Sequence, residues 1–366
     1  MITIAPTLIH LAKGLQRRPR LAALAQRVAP SLSNLGRDHR LEDVAERSWV
    51  LSPPESTVIP PAIYDADDLA RVTGFGAEST REIEWRRILG GALEYRPSVA
   101  YQLRDAILSN GYVILPQSVR AVIAGPRPLW GRYDETEPEQ SLLTATFNGS
   151  RFFGHWLFDE LTRILAAPRV GRAVAPPRPM TAHQREYLMI LGLEQRERTD
   201  VRFRKLVLFD ERNQNAYRRE RYEALRTRVR RGRENGGGEG VMLLRKQTGV
   251  ARILVNEEEL AQRLGRRGFK AMCPAEHSVE EILHACIDAK VVVGVEGSQM
   301  MHALLAMRTG GTFLTLQPPY QFNNILKTYC DGLGLRYAFV IGHARPDGFF
   351  IEPDALDRLL DRVAAP

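Results

Sequence analysis

Three residues that can exchange protons lie close together between residues 153 and 160. His155 and Asp159 are four residues apart, so a helix would place them on one face, and Trp156 and Glu160 would share the adjacent face. Each of these three titratable residue types can take a proton from a hydroxyl group. The structural alternative is a helix start where His155 and Asp159 satisfy each other or cap the backbone. His155, Asp159 and Glu160 are our candidate catalytic residues.

A second set of polar residues follows predicted strands in the last third of the chain. In an open parallel sheet, ligands bind at the carboxyl ends of the strands. Glycines permit close backbone approach there, free amides at a helix start favour a diphosphate, and arginines neutralise it. Alone, such a turn or arginine is more often only a turn or a solvated charge, so the prediction depends on their recurrence at one sheet edge. The candidate diphosphate-binding residues from this argument, called the donor-binding candidates below, are Arg245, Lys246, Arg252, Glu296, Gly297, Ser298 and Gln317.

The elements that must position these residues alternate regularly after residue 240. Capping signals at Asn256 and Ser278 start two helices. The remaining patterns predict strands at 241–244, 269–273, 291–293, 312–316 and 337–341, and helices at 297–307, 323–333 and 352–364. Strands that alternate with helices predict a parallel sheet covered on both faces, which is an α/β fold. The last helix is amphipathic and is expected to pack back onto the first domain.

The first part of the chain contains both helical and strand patterns without a regular alternation. Helices are predicted at 81–93 and 153–166, and strands at 112–115, 142–147 and 206–209. The stretch 230–240 has five glycines and no apolar side chain, which is typical of a linker. We therefore expect an extension at 1–60, one α/β domain at 61–235 and a second at 236–366.

The N-terminal extension has leucines at helical spacing and a basic character. Leu8, Leu11 and Leu15 could line a helix that docks on an anionic membrane, or one that packs on its own protein, which we favour. No signal peptide or transmembrane segment is evident, so we expect a cytoplasmic protein, with peripheral association at the inner face of the membrane as the membrane-docking alternative.

The overall composition excludes few classes of protein or binding partner. Hydrophobic residues make up 44% and charged residues 26%, as in ordinary globular proteins. The net charge of +8 attracts anions without selecting nucleic acid, lipid or phosphorylated substrates. Cys273, Cys286 and Cys330 lack metal-ligand spacing and are expected to be buried thiols.

Three segments together resemble glycosyltransferase family 61. Residues 147–165, centred on FGHWLFDELTR, resemble its segment N/Y-x-G-H-W-L-x-D-x-L-x-R. Residues 244–257 are similar to its next motif, an arginine followed by R-x-x-x-N-E, and residues 289–305 to A-x-V-V-G-x-H-G-A-x-L-x-N/H. The order and spacing agree, and His302 matches the last motif position, which adds it to the donor-binding candidates. Glu296 departs from the family's usual histidine and Ser298 from its alanine.

The resemblance implies two Rossmann-like domains facing a cleft, of the GT-B type, with the donor bound mainly by the second domain. It implies an inverting enzyme that takes a nucleotide sugar as co-substrate, without a metal or other cofactor, and a glycan or lipid-linked glycan as acceptor. Bacterial relatives are associated with capsular and surface polysaccharide synthesis. On this basis Asp159 or His155 would be the base, and Arg245 and Arg252 would hold the leaving diphosphate.

Three alternatives remain open at the level of sequence. Asp65 and Asp67 form an Asp-x-Asp pattern that could bind a divalent metal, although no buried strand precedes them and solvated acids are favoured. The basic charge could serve a polyanion or nucleic acid, but no such motif appears, and we expect no nucleic-acid partner. Glu296 leaves room for an inactive relative that acts as a scaffold.

Overall fold

A computed structural model describes residues 40–76, 79–116, 118–126, 131–233, 236, 238–246 and 252–364. The N-terminal helix expected around Leu8–Leu15 lies outside these residues. The described residues form two compact units. The first contains residues 40–50, 99–179 and 194–210, and the second contains residues 51–98, 180–193 and 211–364. The expected domain limits at residues 60 and 235 stay predictions.

The bounds of the elements are as follows. The strands are β1 (Arg47–Ser52), β2 (Glu55–Ile59), β3 (Gly91–Tyr95), β4 (Ser98–Ser109), β5 (Tyr112–Leu115), β6 (Ser118–Ala121), β7 (Glu135–Leu143), β8 (Arg172–Ala175), β9 (Arg196–Glu197), β10 (Val201–Asp210), β11 (Gly240–Leu243), β12 (Phe269–Met272), β13 (Val291–Val295), β14 (Thr312–Gln317), β15 (Arg336–Ile341), β16 (His343–Arg345) and β17 (Gly348–Phe350). The helices are α1 (Leu41–Val44), α2 (Arg81–Leu89), α3 (the consecutive segments Phe153–His155, Trp156–Glu160 and Leu161–Ala166), α4 (Ala182–Leu191), α5 (Ala216–Arg230), α6 (Glu257–Arg266), α7 (Val279–Cys286), α8 (Met301–Ala306), α9 (Ile325–Gly332) and α10 (Pro353–Ala364).

The first unit is built on a mixed sheet. Its strand order among the described residues is β6-β5-β4-β10-β7-β8-β9, with β1 paired to β4. Pairing is antiparallel from β6 to β10 and parallel from β10 to β9. Because β7 and β8 are parallel, the chain must cross over between them, and α3 makes that crossover. The start of α3 therefore follows the carboxyl end of a parallel strand, where functional side chains commonly lie.

The second unit contains a fully parallel sheet in the order β12-β11-β13-β14-β15 across its described residues. This corresponds to the order 2-1-3-4-5 of doubly wound sheets, in which the strand order reverses between the first and third strands. The reversal therefore lies between β11 and β13. The α/β class predicted from the alternating pattern is confirmed.

The terminal helix α10 packs into the core of the second unit. Its apolar residues Leu356, Leu359, Leu360 and Val363 are buried in the core of the second unit, together with strands β13 to β15 and helix α6. Arg263 of α6 also pairs with Asp357 of α10 at 2.5 Å. The apolar face of α10 therefore contributes to the core of the second unit.

Some local predictions were wrong at their ends. The helix expected at 81–93 stops at Leu89, because Gly90 adopts φ = 68° and the chain continues into β3. Ser278 makes the expected capping box, whereas the Asn256 side chain donates to Ile351 O at 2.9 Å and does not cap α6.

Cys273, Cys286 and Cys330 are free and buried, as expected. Burial raises the pKa of the Cys286 thiol to about 12. Within the described part of the chain, no helix combines the length and the apolar character needed to cross a bilayer.

Candidate functional site

A histidine–aspartate pair lies in the irregular first half of α3. The middle segment Trp156–Glu160 is a π turn between two α-helical segments, a feature found frequently at functional sites. His155 Nδ1 and Asp159 Oδ2 are 2.8 Å apart. Their side chains are 28% and 17% exposed, so both are accessible from solvent. A carboxylate that holds an imidazole in this way can orient it and stabilise its charged form, and either member can accept a proton.

Glu160, the third catalytic candidate, lies in a different environment from this pair. Its side chain is fully buried and forms a bidentate ion pair with Arg178, with Arg178 Nη1 donating to Oε1 at 3.1 Å. Oε1 also accepts from Thr146 N at 2.9 Å. A side chain at Gly149 would overlap the same carboxylate. Glu160 therefore positions the turn that leads into α3.

Replacing Arg178 with alanine is expected to lower the free energy of unfolding by about 3–5 kcal/mol, because it leaves the Glu160 carboxylate buried without its ion pair. Urea denaturation would measure the change. The double variant Arg178→Met/Glu160→Gln should lose less, since no buried charge remains. Arg172→Ala, which removes a more exposed arginine in the same unit, is the control. A loss at Arg178 no larger than at Arg172 would contradict the assignment.

Arg245 and Arg252 converge at the strand-order reversal of the second unit. Arg245 follows β11 and Glu296 follows β13. Arg245 Nη1 donates to Glu296 O at 3.3 Å and to Gln299 Oε1 at 2.8 Å. Arg252 Nη1 donates to Glu296 O at 2.8 Å and also pairs with the Glu296 carboxylate. The expectation that these arginines meet at one sheet edge matches this geometry.

Gly297 makes the approach of Arg245 possible. Its φ of 155° is unfavourable for other residues, and a Cβ there would overlap Arg245 Nη1 and Gln299 Oε1. Ser298, which is half-buried, begins a single 3₁₀ turn, Ser298–Met300, followed by the six-residue α8. This helix is too short for its amides to make the strong anion site expected from the sequence. The arginines are therefore the stronger candidates for phosphate contacts at this edge of the sheet.

Burial shifts the pKa values of Arg245 and Glu296 in opposite directions. It lowers the pKa of Arg245, and the neighbouring Arg252 lowers it further. It raises the pKa of Glu296, an effect that Arg252 and Arg245 oppose. Both shifts express the cost of keeping charged groups away from water.

Glu257 at the start of α6 is a residue whose role the sequence did not reveal. Its carboxylate accepts from Arg245 N at 2.7 Å and from Lys246 N at 2.8 Å, which holds the loop after β11. Lys246 has φ = 49°, and its exposed ammonium pairs with Glu276. Lys246 is therefore outside the arginine cluster.

His302, one of the donor-binding candidates, is a buried residue of the second unit. It is 2% exposed, its Nδ1 lies 2.9 Å from the Tyr187 hydroxyl, and the His183 ring packs edge-on against it. Burial, reinforced by His183, lowers its pKa to about 3. The imidazole is therefore neutral near pH 7 and offers no cation to a phosphate.

His302 is expected to make the protein less stable in acid. The unfolded chain protonates this histidine below about pH 6.5, whereas the folded chain resists until about pH 3. As the pH is lowered through this window, the free energy of unfolding should therefore decrease, by up to about 1.4 kcal/mol per pH unit. The variant His302→Asn keeps an acceptor for Tyr187 and should be less stable at pH 7. Its free energy of unfolding should also depend less steeply on pH, by the equivalent of about one bound proton. Urea denaturation at several pH values would measure the slopes, and equal slopes would refute the prediction.

Gln317, another donor-binding candidate, lies at the end of β14 and makes structural contacts. It is fully buried, and its Nε2 donates to Asn323 O at 2.9 Å and to Thr315 Oγ1 at 3.1 Å. These bonds hold the loop after β14.

Asp65, part of the pattern considered for a metal, accepts from Asp67 N at 3.3 Å and caps the short helix Ala66–Arg71.

Residues 153–314 match the family described as Glycosyltransferase 61. A search of curated proteins found no significant match. The matched residues are somewhat under half of the chain, yet they include both the His155–Asp159 pair and the Arg245–Arg252–Glu296 cluster. Over these residues the chain is similar to glycosyltransferase family 61.

Proposed function

We propose that the protein is an inverting glycosyltransferase that uses a nucleotide-sugar donor. The observation that carries this proposal is the pair of largely buried arginines, Arg245 and Arg252, at the strand-order reversal of a doubly wound sheet. Doubly wound sheets bind nucleotides at this position. Arginine forks suit the planar oxygen pairs of a diphosphate, and the surrounding residues match a transferase family.

The proposed reaction is a single displacement. His155 or Asp159 removes the proton from an acceptor hydroxyl, and the oxygen attacks the anomeric carbon as the bond to the diphosphate oxygen breaks. The nucleoside diphosphate leaves with both electrons of that bond, and Arg245 and Arg252 stabilise its growing negative charge. One displacement inverts the anomeric configuration and needs no covalent enzyme intermediate or metal.

The acceptor side is inferred from the resemblance. We propose a glycan or lipid-linked glycan of surface or capsular polysaccharide synthesis, modified in the cytoplasm, with the GT-B arrangement for the whole chain. A peripheral role at the membrane through the N-terminal residues belongs to the same proposal.

A thermal-shift screen against nucleotides and nucleotide sugars tests the donor proposal. One nucleotide and its sugar conjugates should stabilise the chain selectively, because a ligand that binds only the folded state raises its melting temperature. Donor hydrolysis and transfer would then be assayed with that conjugate, with and without a chelator. No shift with any donor, or salt-sensitive binding to DNA of any sequence, would contradict the proposal, and strict metal dependence would contradict its metal-independent form.

The Glu296–Arg252 pair favours one second candidate, an inactive relative that acts as a scaffold. The carboxylate occupies an arginine that a diphosphate would otherwise use. Glu296→His restores the residue that the family usually carries. Activity gained only in this variant would support the scaffold.

A further inference from the structure

Glu296 places a buried carboxylate directly on the proposed diphosphate site. Its side chain is 4% exposed and pairs with Arg252, which is itself 12% exposed. Among the described residues, Arg252 Nε is buried without a hydrogen-bond partner, so the guanidinium retains a donor for an additional acceptor. Within the described residues, Glu296 also interacts electrostatically with Arg245, Glu84 and Tyr337.

The charges around the two arginines nearly cancel. Arg245 and Arg252 contribute two positive charges, and the carboxylates of Glu296 and Glu257 offset them. Glu84 adds a further negative charge that acts on Glu296, although Asn324 N donates to it at 2.6 Å and Arg87 pairs with it. If the cluster kept these charges, an entering diphosphate would meet no net positive charge. Like charges repel strongly when they are buried.

We propose that a diphosphate displaces the Glu296 carboxylate from Arg252 and that Glu296 takes up one proton as this happens. The inference rests on the proposed function, since it assigns the means by which the same site accepts a donor. The proton comes from solvent and forms the neutral carboxylic acid; no covalent bond to phosphorus changes. Donor binding then consumes a proton, which a histidine at this position would not require.

The surroundings of Glu296 are suited to this exchange. Burial raises the pKa of its carboxyl group even while Arg252 and Arg245 hold it down. Moving Arg252 to the phosphate removes the strongest of these opposing charges, and the phosphate adds a like charge nearby. Both changes favour the protonated form.

Calorimetric titration with inorganic pyrophosphate tests the exchange without a sugar or an acceptor. Heats measured in two buffers of different ionisation enthalpy give the number of protons taken up. Wild type is compared with Glu296→Gln and with Glu239→Gln. Glu239 is an exposed carboxylate that pairs with Lys290 before β11, so its loss is a matched change of charge away from the arginines.

Wild type and Glu239→Gln should take up about one more proton than Glu296→Gln, since protonation of pyrophosphate itself is common to all three. Above the pKa of Glu296, the affinity of wild type relative to Glu296→Gln should fall about tenfold per pH unit. Equal proton uptake, or a constant affinity ratio, would overturn the exchange. If Glu296→Gln does not fold, wild type and Glu239→Gln must still take up more protons than pyrophosphate titration alone supplies, or the exchange is refuted. Absence of pyrophosphate binding would instead count against the donor site, and so against the proposed function.

Discussion

Asp159→Asn and His155→Ala are each expected to slow sugar transfer by roughly 10²- to 10⁴-fold, the usual contribution of a general base. The two groups form one hydrogen-bonded pair, so removing either disturbs the proton acceptor. Their losses should therefore not add: the double variant should be about as slow as the slower single variant. Initial rates with the donor identified by thermal shift would measure this.

The pH dependence of the rate separates the two possible bases. If His155 takes the proton, the rate of transfer should rise between about pH 5 and 8, where histidines ordinarily titrate, and Asp159→Asn should alter that rise. If Asp159 is the base, His155→Gln should retain more activity than Asp159→Asn. Asp134→Asn removes an exposed aspartate from the same unit and is the matched control. Rates within twofold of wild type in both single variants, with folding intact, would remove the pair from the mechanism.

The parallel sheet of the second unit was predictable because each local signal agreed with the tertiary structure. Gly268, with φ = 83°, separates α6 from β12, and the Ser278 capping box starts α7 where the pattern changes from strand to helix. The long strand β4 was missed, because Arg104 and Asp105 interrupt its apolar pattern and Asp105 has φ = 53°. Its partner β10 lies about a hundred residues away in the chain, and no local pattern reports such a pairing.

The sequence indicated which residues belong to the candidate site, but it did not indicate which of them are buried. Asp159 and Glu160 are adjacent acids, and only the tertiary contact with Arg178, eighteen residues further on, makes one of them structural. His302 gave a usable signal, since it lies in an unbroken apolar run from Met300 to Met307. Glu257 resembled an ordinary acid in the first turn of a helix, and nothing local showed that it holds Arg245 and Lys246.

The second large effect is expected at Arg245. Arg245→Ala should lower kcat/KM for transfer by about 10²- to 10³-fold, because a fixed donor to the leaving diphosphate is lost where charge develops. Arg245→Lys should recover little of this, since an ammonium is a point charge and lacks the planar guanidinium fork that suits a diphosphate. Arg263→Ala removes a surface arginine of the same unit that pairs with Asp354 and Asp357, and is the control.

The division of the effect between kcat and KM identifies what Arg245 does. If it stabilises the departing diphosphate, kcat should fall while pyrophosphate binding weakens less, because the interaction strengthens only as the bond breaks. If it only holds the donor, KM should rise and kcat should stay near wild type. The first result is expected, because Gln299 and the Glu296 carbonyl hold the Arg245 guanidinium before the donor arrives. A guanidinium fixed in advance need not reorganise in the transition state. Wild-type values of both constants would exclude Arg245 from the site and leave the strand-order reversal without its principal phosphate ligand.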